Sequence, residues 1–317
     1  MRETIKLGFI GAGVVGTALA TRLKEKGYSV VGVCSRTPAS AKRLADRLDC
    51  PIYAKQELAA RADLVFITTP DDVIGQVASE VSWRPGQWVV HCSGAASVDI
   101  LEPARKLGAK TGTFHPLQTF ADADQALKNL AGSTFALEAE GELFAFLKEM
   151  AEALEGRWLV LRPEDKVLYH VAAVFACNYL VTLVKLATDL FRTFDVPPRE
   201  ATQALLPLLR GTLNNLELIG LPHCLTGPIA RGDLGTVQKH LEALARCAPE
   251  LVSVYTELGR RTIPLALEKG KLDVEKAQRL AELLEHFSKR KEEHAGHRGS
   301  NPEDEGAGGE DPHAHRL

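Results

Sequence analysis

The sequence predicts an α/β fold built on a parallel sheet, then an all-α domain, then a disordered C-terminal tail. Three observations predict it. Short β-rich runs alternate with helical stretches from Ile5 to Pro163, and that alternation builds βαβ units. From Glu164 onward the β-rich runs stop and helical segments follow one another. From Lys291 to Leu317 aliphatic side chains nearly vanish among Gly, Glu, Asp, His and Pro. Such a segment cannot bury enough apolar surface to offset its ordering entropy. The boundaries are therefore 1–164, 165–290 and 291–317.

Taken in order, strands are expected over 5–10, 29–34, 64–68, 88–92 and 110–114. Two later runs, 134–138 and 158–162, extend the sheet around a helix at 141–154. Helices are expected over 14–26 and 39–48, and in the second domain over 165–192, 198–220, 234–246, 249–268 and 273–290. Pro207 and Pro264 fall inside two of these and should kink or break them.

Composition narrows the function. Lys plus Arg number 38 against 41 for Asp plus Glu, a net charge of -3, which argues against a nucleic-acid partner because phosphate contacts need clustered positive charge. Six cysteines lie scattered, without a C-x-x-C pair or metal-ligand spacing. That is the pattern of thiols in a reducing compartment, and no signal-like segment opens the chain. The expected location is the cytoplasm. The stretch 167–191 is apolar enough to suggest a membrane span, but His170, Asn178, Lys185 and Asp189 interrupt it, each costly in lipid. It reads instead as a buried central helix. Being apolar around most of its circumference, it needs more than one layer of helices to cover it, which predicts a homodimer through the helical domain.

The chemistry-bearing residues begin with Gly11-Ala12-Gly13-Val14-Val15-Gly16, between the first strand and the first helix. The first glycine permits a tight turn, the second lets a pyrophosphate approach the backbone, and the third lets helix and strand pack closely. The helix N-terminus supplies N–H groups and a positive dipole end for phosphates. At the end of the second strand, Ser35-Arg36-Thr37 carries no acid for a ribose hydroxyl. Arg36 can pair with a 2′-phosphate, so NADP is favoured over NAD; the plainer alternative is a solvated surface arginine. Thr68-Thr69-Pro70 ends a β run and either passes near the nicotinamide or is a turn leading to a helix cap.

Ser93 follows the run at 88–92, at the carboxyl edge where open α/β sheets bind ligands. It is either a substrate donor or a turn serine. His91 and Cys92 are adjacent on a strand and so point to opposite faces, which disfavours a shared metal. His115 ends a strand just before Pro116 and is expected to present an imidazole titrating near neutrality, suited to a general acid or base; a buried structural histidine is the alternative. Lys166 and His170 are four residues apart and share one helix face. At 100° per residue Asn178 lies about 80° from His170, at the fringe of that face. Lys166, in the first turn, could equally snorkel to solvent. In Thr226-Gly227-Pro228-Ile229-Ala230-Arg231-Gly232-Asp233, Asp233 reads as a helix cap and Arg231 as a fork for a carboxylate.

Together these segments resemble a family of Rossmann-like proteins with a helical C-terminal domain of unknown function. The glycine loop, residues 91–95, Phe114-His115-Pro116-Leu117-Gln118-Thr119, the Lys166–His170–Asn178 helix and residues 226–233 carry the resemblance. The wider group it resembles is the β-hydroxyacid dehydrogenase-like superfamily, with pyrroline-carboxylate reductases, ketopantoate reductases and prephenate dehydrogenases. The prephenate dehydrogenase likeness implies a catalytic His115 with Ser93 touching substrate. The hydroxyacid dehydrogenase likeness implies a catalytic Lys166, although His170 stands where that family has Asn. The implied activity is hydride transfer between the nicotinamide of NADP and a small carboxylate-bearing carbonyl, hydroxy or imino compound. In that reading His115 or Lys166 handles the proton, Ser93 and Asn178 position the substrate, and Arg231 holds its carboxylate. The alternative is a non-catalytic NADP-binding regulatory or interaction module.

Overall fold

The computed structural model describes residues 4–296. Seven strands form one sheet: β1 (Lys6–Ile10), β2 (Ser29–Cys34), β3 (Leu64–Ile67), β4 (Trp88–His91), β5 (Lys110–Leu117), β6 (Thr134–Glu138) and β7 (Arg157–Val160). Between them run α1 (Val14–Glu25), α2 (Pro38–Leu48), α3 (Lys55–Arg61), α4 (Asp71–Glu80), α5 (Glu102–Lys106), α6 (Ala123–Leu130) and α7 (Gly141–Ala153). The strand order is β2-β1-β3-β4-β5-β6-β7. β1 to β5 are mutually parallel, whereas β6 pairs antiparallel with β5 and β7 runs parallel to β6.

The sheet is thus the parallel one expected, with one antiparallel join where the later runs extend it. β5 also continues through Pro116, so His115 lies inside a strand instead of ending one. β4 accompanies β5 only as far as Thr113; beyond it β5 has β6 alone as a neighbour, and a proline is tolerated on such an open side.

Both faces of the sheet are covered. On one, Leu7, Phe9, Phe66, Phe114 and Phe135 pack with residues of α1, α2 and α7. Phe9–Phe66 and Phe114–Phe135 stack at 5.0 and 4.6 Å, and Phe66 meets Phe114 edge-on at 6.0 Å. Each such contact adds about 0.5–1.5 kcal/mol beyond burial. On the other face Ile10, Val65, Ile67 and Val89 meet α3, α4 and α5 through Leu58, Ile74, Val77 and Ala104. This double covering explains why the strands read as continuous apolar runs rather than alternating ones.

The chain divides into two compact units, Met1–Leu180 and Val181–Leu317, later than the boundary expected at 164. The first unit therefore takes in α8 (Lys166–Ala173) and a π-helical turn (Val174–Asn178). The second contains most of α9 (Tyr179–Phe191), then α10 (Pro198–Leu218), α11 (Leu234–Cys247), α12 (Val252–Glu268) and α13 (Val274–Gly296). Its core gathers Val237, Leu241, Val252, Ile263, Leu280 and Leu284 from α11, α12 and α13. Neither Pro207 nor Pro264 breaks its helix. Both are exposed, so the carbonyl each one frees can bond to water.

Two further expectations change. The helical run Pro163–Phe194, read as a buried central helix, has none of its most apolar stretch buried, at a mean hydropathy of 1.8. By length and composition alone it could cross a membrane. The expected tail boundary also moves, because α13 continues to Gly296, past 290; the remainder of the proposed tail, 297–317, lies outside the described residues.

Candidate functional site

The strand order reverses at β1, with β2 on one side and β3 on the other. Open α/β sheets bind ligands outside the carboxyl ends of their strands at such a point. Gly11 leaves β1 at φ +117°, and a Cβ there would lie 2.6 Å from the Thr68 carbonyl carbon. Its N–H donates to Cys34 O at 2.8 Å, tying the loop to the end of β2. Gly13 caps α1 with no side-chain bond, and the first turn contains no acid. A Cβ at Gly13 would meet nothing within 4 Å, so the approach to the helix N-terminus is open. A Cβ on Gly16 would collide with Thr68 Oγ1 and Gly11 O, which accounts for the third glycine.

Thr68 Oγ1 donates to Gly11 O at 2.8 Å and so braces the glycine loop. Thr69 differs. Its hydroxyl is buried without a hydrogen-bond partner, a state that costs about 1–3 kcal/mol unless something completes it. Pro70 is exposed and precedes α4. At the end of β2, Ser35 is half-buried and Arg36 exposed; among the described residues no hydrogen bond or ion pair reaches the Arg36 guanidinium. Thr37 precedes α2 without a side-chain cap bond. An open helix N-terminus, an unpartnered hydroxyl and an unpaired guanidinium all fit a phosphorylated dinucleotide.

A second cluster stands where His91, Thr113 and Glu138 share one level of β4, β5 and β6. Lys166, the first residue of α8, is fully buried beside it. Its Nζ donates to Ser93 O at 3.1 Å and to Thr113 Oγ1 at 3.5 Å, with Glu138 Oε1 at 3.6 Å. The other carboxylate oxygen accepts the Val98 N–H at 3.0 Å. Burial pushes the Lys166 ammonium below its ordinary range and the Glu138 carboxyl above its own, and the opposite charges resist both shifts.

The loop after β4 is equally engaged. Ser93 Oγ donates to Asp71 Oδ2 at 2.7 Å and accepts the N–H groups of Ala95 and Ala96 at 3.2 and 2.9 Å. The Ser93 N–H donates to His91 Nδ1 at 3.1 Å, which leaves Nε2 to donate to Ser97 O, also at 3.1 Å. Burial pushes His91 down to about 4. A Cβ on Gly94 would lie 2.7 Å from His115 Nε2 and 3.0 Å from His170 Nδ1, so only glycine lets the two imidazoles approach this loop. His115 Nδ1 lies 2.8 Å from the Tyr169 hydroxyl, with the rings edge-on at 5.5 Å. Burial first, then the charge of Lys166 and the neighbouring histidines, push His115 down to about 3. Burial raises the Tyr169 phenol.

Several expectations are corrected here. His115 does not titrate near neutrality but stays an uncharged imidazole, because it is desolvated next to an ammonium. Lys166 neither snorkels nor approaches from another domain; it belongs to the first unit and has no exposed surface. The Ser93 proton goes to Asp71 instead of a ligand. Asn178 ends the π-helical turn and is exposed, so a count of 100° per residue does not carry across to it. His170 lies with Lys166 beside the Ser93–Gly94 loop, as shared spacing implied. Asp233 caps α11 by accepting the Thr236 N–H at 3.0 Å, while Arg231 is exposed in the second unit. Asp71, expected as a helix cap, instead accepts the Ser93 hydroxyl, and sequence reasoning missed Tyr169 and Glu138; the available signals were a tyrosine in the turn shared by Lys166 and His170, and an acid closing an apolar strand. Among the described residues no three His, Cys, Asp or Glu side chains gather as a metal site.

Comparison with known proteins agrees with this architecture. Residues 1–116 match the Rossmann-like domain. Residues 133–262 match DUF2520, a domain of unknown function, so the chain joins the two. A candidate NADP oxidoreductase from Bacteroides fragilis is 27% identical, over 82% of this chain and 98% of that one, at a TM-score of 0.68. A protein from Thermotoga maritima is 26% identical, over 83% and 99%, at 0.69. Pyrroline carboxylate reductase from Plasmodium falciparum, solved with NADP bound, shares the fold at 14% identity, over 89% and 99%, with a TM-score of 0.55.

Proposed function

We propose that the protein is an NADP-dependent oxidoreductase acting on a small carboxylate-bearing carbonyl, hydroxy or imino compound. The observation that carries this reading is the open cradle at the reversal of strand order, where Gly13 has nothing above it and the buried Thr69 hydroxyl has no partner. The likeness to an NADP oxidoreductase supports it. When bound, NADP supplies hydride transfer at nicotinamide C4. Gly11 to Gly16 would hold its pyrophosphate, and Arg36, with Ser35 and Thr37, its 2′-phosphate. Thr69 would complete its hydroxyl on the same ligand. The Tyr169 hydroxyl, held by neutral His115, would exchange the proton with the substrate heteroatom.

The test is a titration followed by an assay. NADPH should bind more tightly than NADH, and Arg36→Ala should remove most of that preference, since a hydrogen bond to a charged group contributes about 1.5–3 kcal/mol, or roughly ten- to hundredfold. Against a panel of keto and imino acids, Tyr169→Phe should lower turnover by about 10²–10⁴-fold while NADPH binding persists, and His115→Asn should lower it by removing the partner that holds the tyrosine. Equal affinity for the two dinucleotides in the unaltered chain sinks the NADP assignment.

A homodimer belongs to the same reading. Val167, Leu168, Phe175 and Val181 are each more than 60% exposed, and the core of α11 to α13 includes no residue of α9 or α10. A permanent apolar face of this kind needs a partner made in equal amount, which a second copy supplies. Sedimentation at micromolar concentration should show a dimer, and a stable monomer would refute it. A cytoplasmic location fits the free cysteines.

A further inference from the structure

We infer that Lys166 is a positioning residue: its buried ammonium, balanced by Glu138, holds the Ser93–Val98 loop and thereby fixes Gly94 against the His115 and His170 imidazoles. An ammonium has three protons to donate. Lys166 donates to Ser93 O and Thr113 Oγ1, faces Glu138 Oε1 as an ion pair at 3.6 Å, and has none of its surface exposed. Fully buried, it presents no surface to a substrate.

What the pair does hold is the loop, at both ends. Lys166 takes the carbonyl at Ser93, and Glu138 takes the N–H at Val98. The Glu138 backbone N–H donates to Thr113 Oγ1 at 3.1 Å, which ties the main chain at Glu138 to β5. Between these anchors lie Gly94, packed on the two imidazoles, and Ser97, whose carbonyl orients His91. A shift of the loop would change the space beside His115 Nε2, and with it the His115–Tyr169 pair. Replacing one partner of a buried pair strands a charge, whereas replacing both does not. Glu138 therefore acts on the imidazoles without bonding to either.

The inference rests on reading the His115–Tyr169 pair as the reaction end of the site, but its test does not need a substrate. Imidazole NMR signals of His115 and His170 are followed in the full chain for Lys166→Met, Glu138→Gln and the double variant, alongside Tm and NADPH affinity. Both single variants should move the two histidine signals in the same sense and lower Tm, and the double variant should melt above Lys166→Met. NADPH affinity should stay within about twofold, as expected for separated sites. Leu241→Ala, in the core of the second unit, should lower Tm and leave the imidazole signals in place, which separates positioning from general loosening. Unmoved imidazole signals in Glu138→Gln overturn the inference, as does a double variant no more stable than Lys166→Met. Loss of turnover in Lys166→Met with unmoved imidazoles would instead make the lysine a direct participant. Should NADPH fail to bind the unaltered chain, the oxidoreductase reading falls while these signals still decide the clamp.

Discussion

The two ends of the candidate site are built in opposite ways. Beside β1 and β3 the polar groups are left open: an uncapped α1, the unpartnered Thr69 hydroxyl and an Arg36 with no ion pair among the described residues. Beside β4, β5 and β6 most polar groups are engaged, from Ser93 with Asp71 to Lys166 with Ser93 and Thr113, although Glu138 Oε1, 3.6 Å from the ammonium, accepts no hydrogen bond. A buried hydroxyl without a partner is a small standing cost that a ligand would remove. A buried ion pair is a larger cost, several kcal/mol of desolvation per ion, which only good geometry offsets. One end is shaped to be completed by something else. The other keeps its shape alone.

Two glycines two residues apart sharpen that contrast and give the largest effect expected. Gly11 needs a left-handed backbone, and any Cβ would press on the Thr68 carbonyl. Gly11→Ala should therefore destabilise the protein by about 2–6 kcal/mol, combining backbone strain with overlap. Gly13 has an ordinary φ of -77° and open space above it. Gly13→Ala should leave Tm within the roughly 0.5 kcal/mol typical of surface changes, yet weaken NADPH by tenfold or more, about 1.4 kcal/mol. Thermal melts and fluorescence titration of both variants decide it. If Gly13→Ala binds NADPH as well as the unaltered chain, the open end is not a phosphate cradle.

The same contrast explains what could be read in advance. β2 and β6 have the bounds their sequences implied, and Gly11 makes its tight turn and Gly16 its close packing as their spacing suggested, because strands and tight turns are written in neighbouring residues. The charge state of His115 was not legible. It depends on Lys166, fifty-one positions later in the chain, and on the burial that α8 imposes. The commitment of Lys166 likewise depends on Glu138, whose position follows from the antiparallel pairing of β6 with β5. No local pattern announced that pairing. The π-helical turn at Val174–Asn178 is a similar case, since a single wide turn shifts every later residue around the helix.

The closed end makes one further prediction, smaller in size and specific in sign. His91 and His115 are held near 4 and 3, against an ordinary 6.5, chiefly because burial disfavours their charged forms. In the unfolded chain both bind a proton as the pH falls through 6.5; in the folded protein they do not until much lower. The unfolded state thus holds up to two more protons in that interval, and stability must fall as the solution is acidified from about pH 6.5 towards 4. Glu138 works the other way, because its raised carboxyl takes up a proton in the folded state first, so it offsets part of the loss in the lower half of the interval. His115→Asn removes one of the two histidines and should flatten the acid side of a Tm-against-pH curve by up to about 1.4 kcal/mol per pH unit. The flattening should be confined to the region below pH 6.5, with no change in slope between pH 7 and 8. An acid limb identical to that of the unaltered chain would mean that His115 is already charged in the folded protein, and the closed end would then be wetter than its geometry implies.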